Sequence, residues 1–312
     1  MGSSQKLFYK NCTVLDWAYL CPELGPVGDS AYIDVEIESE LNEENMILDF
    51  SIFKKIVKQV IDNEVDHRLI VKCSDIKPID NKNKVFQVNY CYGKNKKKAI
   101  CYTAPREAFF ILNEQSDNIQ GALISEIQNV LKVELEKINQ IKNNNFRLFV
   151  YLRRESKPII FSYTHGLKMH KGNCQRLVHG HRNTVEVFSE GLEDFSAAEF
   201  LIKECFSGNV HFSYLENIIN KELYSELKDP SFFGRLNPIH NIQNIEIAYS
   251  SGQGFFSLSI PIEDVYVIPE ETTIENLAKY FLLAIRSKRS NLNHLRVIAY
   301  EGIQKGSVFQ LN

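Results

Sequence analysis

The chain has 312 residues, 36 of them basic and 39 acidic, for a net charge of -3, a size that suits one large domain or two ordinary ones. So even a balance provides no global basic field to draw nucleic acid or an anionic membrane, and an anionic ligand has to be held by a local cluster. Seven cysteines scattered without CxxC spacing suggest neither a disulfide framework nor a cysteine zinc cage, so the expected compartment is reducing cytoplasm. The opening Met1-Gly-Ser-Ser reads as partly vector-derived and carries no apolar signal core, and no apolar run is long enough to span a bilayer.

Leu7 to Leu20 reads as a strand, Pro22 to Gly28 as a turn, and Tyr32 to Glu38 alternates apolar with polar, which predicts an antiparallel hairpin with one wet face. In residues 47–61, Phe50, Phe53, Ile56, Val57, Val60 and Ile61 recur at helical spacing, and Val65-Asp66-His67 closes that helix. Lys82 to Tyr102 reads as a strand pair around the charged loop Gly93 to Lys98, a solvated turn. A second helix follows from about Gln120 to Ile141, ended by Asn143 to Asn145, and Phe146 to Leu152 is a closing strand.

The order then begins again. Ile159 to Leu167 and Asn183 to Phe188 read as paired strands, and Phe212 to Leu223 as a helix matching Phe50 to Ile61, since both open on Phe-Ser. Strands at Ile245 to Tyr249 and Phe255 to Ile260, a helix from Thr273 to Ile285 and a strand from Leu295 to Glu301 complete it. Each half is expected to run β-β-α-β-β-α-β, giving two homologous α+β domains, residues 1–156 and 157–312, joined near Glu155 to Pro158.

The chemistry concentrates in Cys174-Gln-Arg-Leu-Val-His179-Gly-His181. On a strand, side chains two apart share a face, so His179 and His181 present two imidazoles together. His165, a short loop upstream, supplies the third ligand that a catalytic zinc with one open position requires, and Cys174 falls in the connecting loop beside it. Lys168, His170, Lys171, Arg176 and Arg182 surround this stretch as candidates for holding phosphates. His211, His240 and His294 belong to no motif and read as structural.

With Phe161-Ser-Tyr-Thr-His165, Cys174 ahead of His179-Gly-His181, Thr273-Ile-Glu-Asn276-Leu-Ala and Val297-Ile-Ala-Tyr-Glu301 in place, the second half resembles the 6-pyruvoyl-tetrahydropterin and 6-carboxy-tetrahydropterin synthase family. The resemblance implies tandem T-fold (tunnelling fold) domains, each an antiparallel sheet with two helices on one face. It also implies zinc on His165, His179 and His181, Cys174 as catalytic base, Glu301 as anchor of a pterin ring and Thr273 as part of its seat. The family carries an Asp-His pair after its first helix. Asp66-His67 fits it in the first half, whereas Lys228-Asp229-Pro230 is the departure expected in the second. The first half has no histidine in its hairpin, and Leu152 falls near the counterpart of Glu301, so its metal and ring anchor are lost. These complementary losses lead to the expectation of one composite site; the resemblance further implies a homo-oligomer, a trimer of tandem chains supplying six domains or another closed T-fold ring, and a pterin triphosphate substrate. The expected reaction is formation of 6-carboxy-tetrahydropterin from dihydroneopterin triphosphate, queuosine synthesis being the expected pathway; the pyruvoyl synthase and a non-catalytic pterin or purine binding module are the alternatives.

Overall fold

Strand β1 (Gln5–Cys21) turns back into β2 (Gly25–Ser39), and the two pair antiparallel along nearly their whole length, interrupted only by a bulge between Tyr9 and Thr13. The computed structural model describes residues 4–113, 118–138, 140–141, 145–238, 243–290 and 292–311. His240 and Asn143 lie outside them.

Helix α1 (Phe50–Glu64) starts where the Asp49 carboxylate accepts the Ser51 and Ile52 amides, satisfying two of its unpaired N–H groups. Its buried face, Phe53, Val57, Val60 and Ile61, keeps the spacing that predicted it. Next come β3 (Leu69–Lys72), β4 (Ile76–Asp80), β5 (Val85–Tyr92), β6 (Lys98–Pro105), β7 (Phe109–Leu112), α2 (Ile119–Glu136) and β8 (Phe146–Arg153). The first-half sheet runs β7-β3-β1-β2-β8. Its hairpin core and β8 are antiparallel, while β3 and β7 add two parallel pairings on one side that residue alternation cannot distinguish.

The second half contains β9 (Phe161–His165), β10 (His179–Asn183), β11 (Val185–Ser189), β12 (Leu192–Glu193), α3 (Phe195–Phe200), β13 (Asn209–Tyr214), β14 (Asn244–Ser251), β15 (Gly254–Pro261), β16 (Val265–Ile268), α4 (Ile274–Lys288), β17 (Arg296–Tyr300) and β18 (Gly306–Gln310). The helix expected at Phe212 to Leu223 is not there. Residues 209–214 form β13, which pairs parallel with β9 and β16 and is buried on both faces at Val210, His211, Phe212 and Ser213. A strand buried on both faces shows no period-two signal, so its apolar run matched a helical template by coincidence. The helix equivalent to α1 is α3, capped by Asp194, opening on Phe195-Ser196 and continuing through a π-helical turn at Leu201–Cys205. The Phe-Ser repeat exists, but its second copy lies 17 residues earlier than Phe212, at Phe195. The Asp-His position of the second half therefore falls at Ser207-Gly208-Asn209, where this helix gives way to β13, and Lys228-Asp229-Pro230 belongs to a later exposed loop.

Three hydrophobic clusters hold the chain. One lies within each half, and a third, with Ala18, Leu20, Tyr92, Tyr102, Leu177, Tyr249 and Phe256 among its members, lies between them. The halves also share a sheet ordered β14-β15-β6-β5-β4, in which Leu258 of β15 pairs with Tyr102 of β6. Across the junction, Asp264 accepts from the Tyr92 hydroxyl at 2.5 Å and from Lys98 Nζ at 2.8 Å. Where β2 crosses β10 there is room for backbone alone, since a Cβ on Gly28 would lie 2.1 Å from the Tyr163 carbonyl oxygen and 2.4 Å from the His181 nitrogen. That close crossing sets the first half directly against the His179-Gly180-His181 strand. No helix among the described residues is long and apolar enough to cross a membrane.

Candidate metal centre and catalytic cluster

His165 ends β9 and pairs directly with His179, the first residue of β10, while His181 follows two residues later on the same face. The three rings lie with centroids 4.4 to 5.3 Å apart, and all three residues are fully buried. Each turns Nδ1 toward an acceptor. His165 Nδ1 meets the Thr272 carbonyl oxygen at 2.9 Å, His179 Nδ1 the Arg176 carbonyl oxygen at 2.7 Å, and His181 Nδ1 stands 3.4 Å from Asp16 Oδ1. Their Nε2 atoms are buried without a hydrogen-bond partner, and so is His181 Nδ1, whose approach to Asp16 is an ion-pair distance and not a hydrogen bond. Buried polar nitrogens left unpaired are costly. Imidazoles free at Nε2, with His165 and His179 oriented by hydrogen bonds at Nδ1 and His181 facing a carboxylate, are a donor set that zinc takes, so these residues fit the metal that the fold family implies. Burial lowers the proton affinity of His165 and His179 well below the ordinary histidine value, which keeps them in the neutral, ligating form.

Ligand atoms approach within 4.8 Å of one another in two overlapping sets, His67 with His179 and His181, and His165 with His181 and Glu301. His181 is common to both. The expected three ligands are thus divided between the sets, and His67 and Glu301, expected in other roles, stand at the same centre.

Asp66 and His67 reach this centre from the first half. The chain leaves α1 with the Asp66 amide donating to the Ile61 carbonyl, and His67 then adopts a left-handed backbone, φ 57°, held by its own amide donating to the Asp16 carbonyl at 2.7 Å. A left-handed non-glycine residue costs on the order of 1 kcal/mol and persists where surrounding contacts impose it. His67 Nδ1 lies 2.6 Å from Asp66 Oδ2, and its ring centroid is 4.9 Å from that of His179. Burial opposes charging of this imidazole, yet the Asp66 carboxylate, followed by the Cys174 side chain, raises its proton affinity well above the ordinary value.

Cys174 sits, as the spacing implied, in the loop from β9 to β10, on a single turn at Asn173–Gln175. Three contacts pin that turn. Asn173 Nδ2 donates to the Asp62 carbonyl of α1 at 3.2 Å, the Tyr249 hydroxyl donates to the Gln175 carbonyl at 2.8 Å, and the Leu167 amide donates to the Cys174 carbonyl at 2.9 Å.

Sequence reasoning missed several neighbours. Arg176, read as a phosphate candidate, is buried and donates Nη1 to the carbonyls of Asp66 and His67 at 2.9 and 3.4 Å, so it braces the pair. Arg182 Nη1 likewise donates to a backbone carbonyl, that of Glu155, while Lys168, His170 and Lys171 are exposed. Thr273, expected at the ring, caps α4 by accepting the Asn276 amide, and its neighbour Thr272 meets His165. Counted from the paired core positions Ile33 with Leu152 and Val185 with Ala299, the counterpart of Glu301 in the first half is Arg154, two residues past Leu152 and ion-paired with Asp29. Asp16 on β1, Ser30 on β2 and Lys305 in the turn before β18 cluster beside His181; the only sequence signal of the first two was a polar residue on a strand with otherwise apolar inward positions.

A family model, that of 6-pyruvoyl tetrahydropterin synthase, matches residues 28–145 and again 155–311. The chain belongs to the 6-pyruvoyl tetrahydropterin synthase family. Its two matches make it a tandem member, with a T-fold of the α+β class in each half. A protein of Pyrococcus horikoshii, provisionally named a 6-carboxy-5,6,7,8-tetrahydropterin synthase, is 48% identical over 52 residues, which are 17% of this chain and 30% of that relative's length. The crystal structure of 6-pyruvoyl tetrahydropterin synthase from Plasmodium vivax aligns over 49% of this chain and 94% of its own at 15% identity, with a TM-score of 0.37. That of the Plasmodium falciparum synthase aligns over 48% of this chain and 99% of its own at 16% identity, with a TM-score of 0.31. Likeness this distant carries no argument about the site, which rests on the residues described above.

Proposed function

We propose that this tandem synthase is a zinc-dependent lyase that converts dihydroneopterin triphosphate to 6-carboxy-tetrahydropterin with loss of triphosphate and acetaldehyde. One observation carries the reading: three buried histidines with unpaired Nε2 atoms stand beside an Asp66-His67 pair and Cys174. His165, His179 and His181 hold the zinc, which when bound supplies Lewis-acid polarisation of the substrate's side-chain oxygens. Cys174 removes the proton next to the ring imine. A free thiol is mostly protonated at neutral pH, so it needs an imidazolium beside it, and His67 charged by Asp66 provides one. The Asp66 carboxylate 2.6 Å from His67 Nδ1 favours the imidazolium, which supports a proton-transfer role for His67 beside His179 and His181. Glu301 accepts the amide and amino N–H groups of the pterin ring, with Thr273 at the edge of the seat.

The pyruvoyl reaction is the second reading, favoured by the family model's own description; the Pyrococcus relative's name supports the carboxy product. Zinc-loaded protein is incubated with dihydroneopterin triphosphate, and acetaldehyde and triphosphate are measured. Release of both in equal amounts supports the carboxy synthase, and triphosphate alone supports the pyruvoyl reaction. Binding of the pterin with release of neither sinks both and leaves a binding module. The expected cytoplasmic location and closed oligomer of tandem chains belong to the same proposal, and gel filtration showing a monomer would count against the latter.

A further inference from the structure

Asp16 is a buried carboxylate on β1 of the first half, yet its carboxylate faces His181 and Lys305 of the second. Oδ1 accepts from the Ser30 hydroxyl at 2.5 Å and faces His181 Nδ1 at 3.4 Å, and Oδ2 lies 3.1 Å from Lys305 Nζ. Ser30 Oγ in turn accepts the Arg182 amide at 3.1 Å, so the residue after His181 is tied to the same cluster. Its backbone serves the other side of the centre. The Asp16 amide donates to Asp66 Oδ1 at 3.0 Å, and its carbonyl accepts the His67 amide. The turn at Gly302 leaves room for the carboxylate, since a Cβ there would lie 2.4 Å from Asp16 Oδ1.

His165 and His179 present Nδ1 to backbone carbonyls of their own half. His181 alone of the three turns Nδ1 toward a side-chain carboxylate, and that carboxylate comes from the half whose hairpin holds no histidine. A carboxylate on the far nitrogen of a ligating histidine fixes the tautomer with Nε2 free, orients the ring and raises its basicity as a ligand. A neutral carboxyl would do none of this. Lys305 Nζ, 3.1 Å from Oδ2, supplies the opposite charge for the buried carboxylate.

We propose that Asp16 is the positioning residue for the ligand His181, held in place by Ser30 and Lys305, so that the metal affinity of the second half is set by a carboxylate of the first. The inference rests on the zinc reading of His165, His179 and His181. It makes metal binding and docking of the halves thermodynamically coupled, because a shift of β1 against β10 withdraws the carboxylate from the ring.

The test is zinc affinity, measured by chelator competition on the full chain, for the wild type, Asp16→Asn and Ser30→Ala, with the visible spectrum of the cobalt-substituted protein as a second readout. Asp16→Asn should bind zinc roughly 10- to 100-fold more weakly and shift the cobalt bands. Ser30→Ala, which loosens the carboxylate without removing it, should weaken binding in the same direction by less. The circular dichroism of each metal-free protein reports its fold separately, and if Asp16→Asn fails to fold, Ser30→Ala decides. Zinc affinity within about twofold of the wild type in the folded variants overturns the assignment of Asp16 while leaving the metal reading intact. A wild-type chain that binds no zinc sinks both.

Discussion

His67 Nδ1 and Asp66 Oδ2 stand 2.6 Å apart in the first half, with the imidazole stacked toward His179 of the second. The carboxylate is the main group favouring the imidazolium. Asp66→Asn should therefore lower the His67 pKa, seen as a moved titration of its ring proton in NMR, and should cut turnover by about 10²-fold or more. Sign matters for stability. A folded value above the unfolded one stabilises fully below about pH 6.5 and loses that contribution as pH rises through the folded value, so the variant should lose stability on the acid side and gain none above. An unmoved resonance would exclude the pair as the source of the charge.

Cys174 and His67 meet within a single chain. Co-expressed His67→Ala and Cys174→Ala chains should accordingly show no more activity than either alone. Complementation toward a sizeable share of wild-type activity would mean that the pair serves a neighbouring chain.

Cys174→Ala should retain zinc while turnover drops by roughly 10²- to 10⁴-fold, whereas His181→Ala should lose the metal as well. Metal analysis after dialysis separates the two. Equal zinc loss in both variants would place Cys174 among the ligands instead.

His211 is buried, with Nδ1 2.9 Å from Thr164 Oγ1, and burial lowers its pKa to about 3. A depressed value means that the unfolded chain takes up this proton first as pH falls below about 6.5, so stability is lost from there down toward pH 3. His211→Gln should flatten the acid limb of a urea-midpoint series by up to about 1.4 kcal/mol per pH unit. An unchanged slope would assign the acid loss to other groups.

Gly28→Ala forces a methyl group toward the Tyr163 carbonyl and the His181 amide. Overpacking of this kind costs about 1 to 3 kcal/mol, and because it acts where the halves cross, zinc affinity should fall along with the thermal midpoint. A stability loss with unchanged zinc affinity would separate the crossing from the metal centre.

Much of this was legible locally. The alternation of Tyr32 to Glu38, the helical face of α1 and the cap at Thr273 follow from periods of 2.0 and 3.6 and from short-range hydrogen bonding, which a few consecutive residues specify. The His179-Gly-His181 spacing and His165 one strand earlier likewise put three imidazoles on one sheet face. β13 was misread because burial on both faces erases the period, and with it the repeat was aligned to the wrong Phe-Ser and the missing Asp-His pair to the wrong loop.

What the sequence alone determined was the α+β class of each half and the placing of three imidazoles on one sheet face, since these are properties of residue type and spacing. That His67 lies against His179, that Arg176 braces the pair from below and that Asp16 faces His181 was decided by the tertiary structure. These contacts join residues more than 100 positions apart, through a crossing of β2 over β10 that only Gly28 and Gly180 permit. Such contacts leave no local trace, because each half buries its polar residue for a partner that the other half supplies.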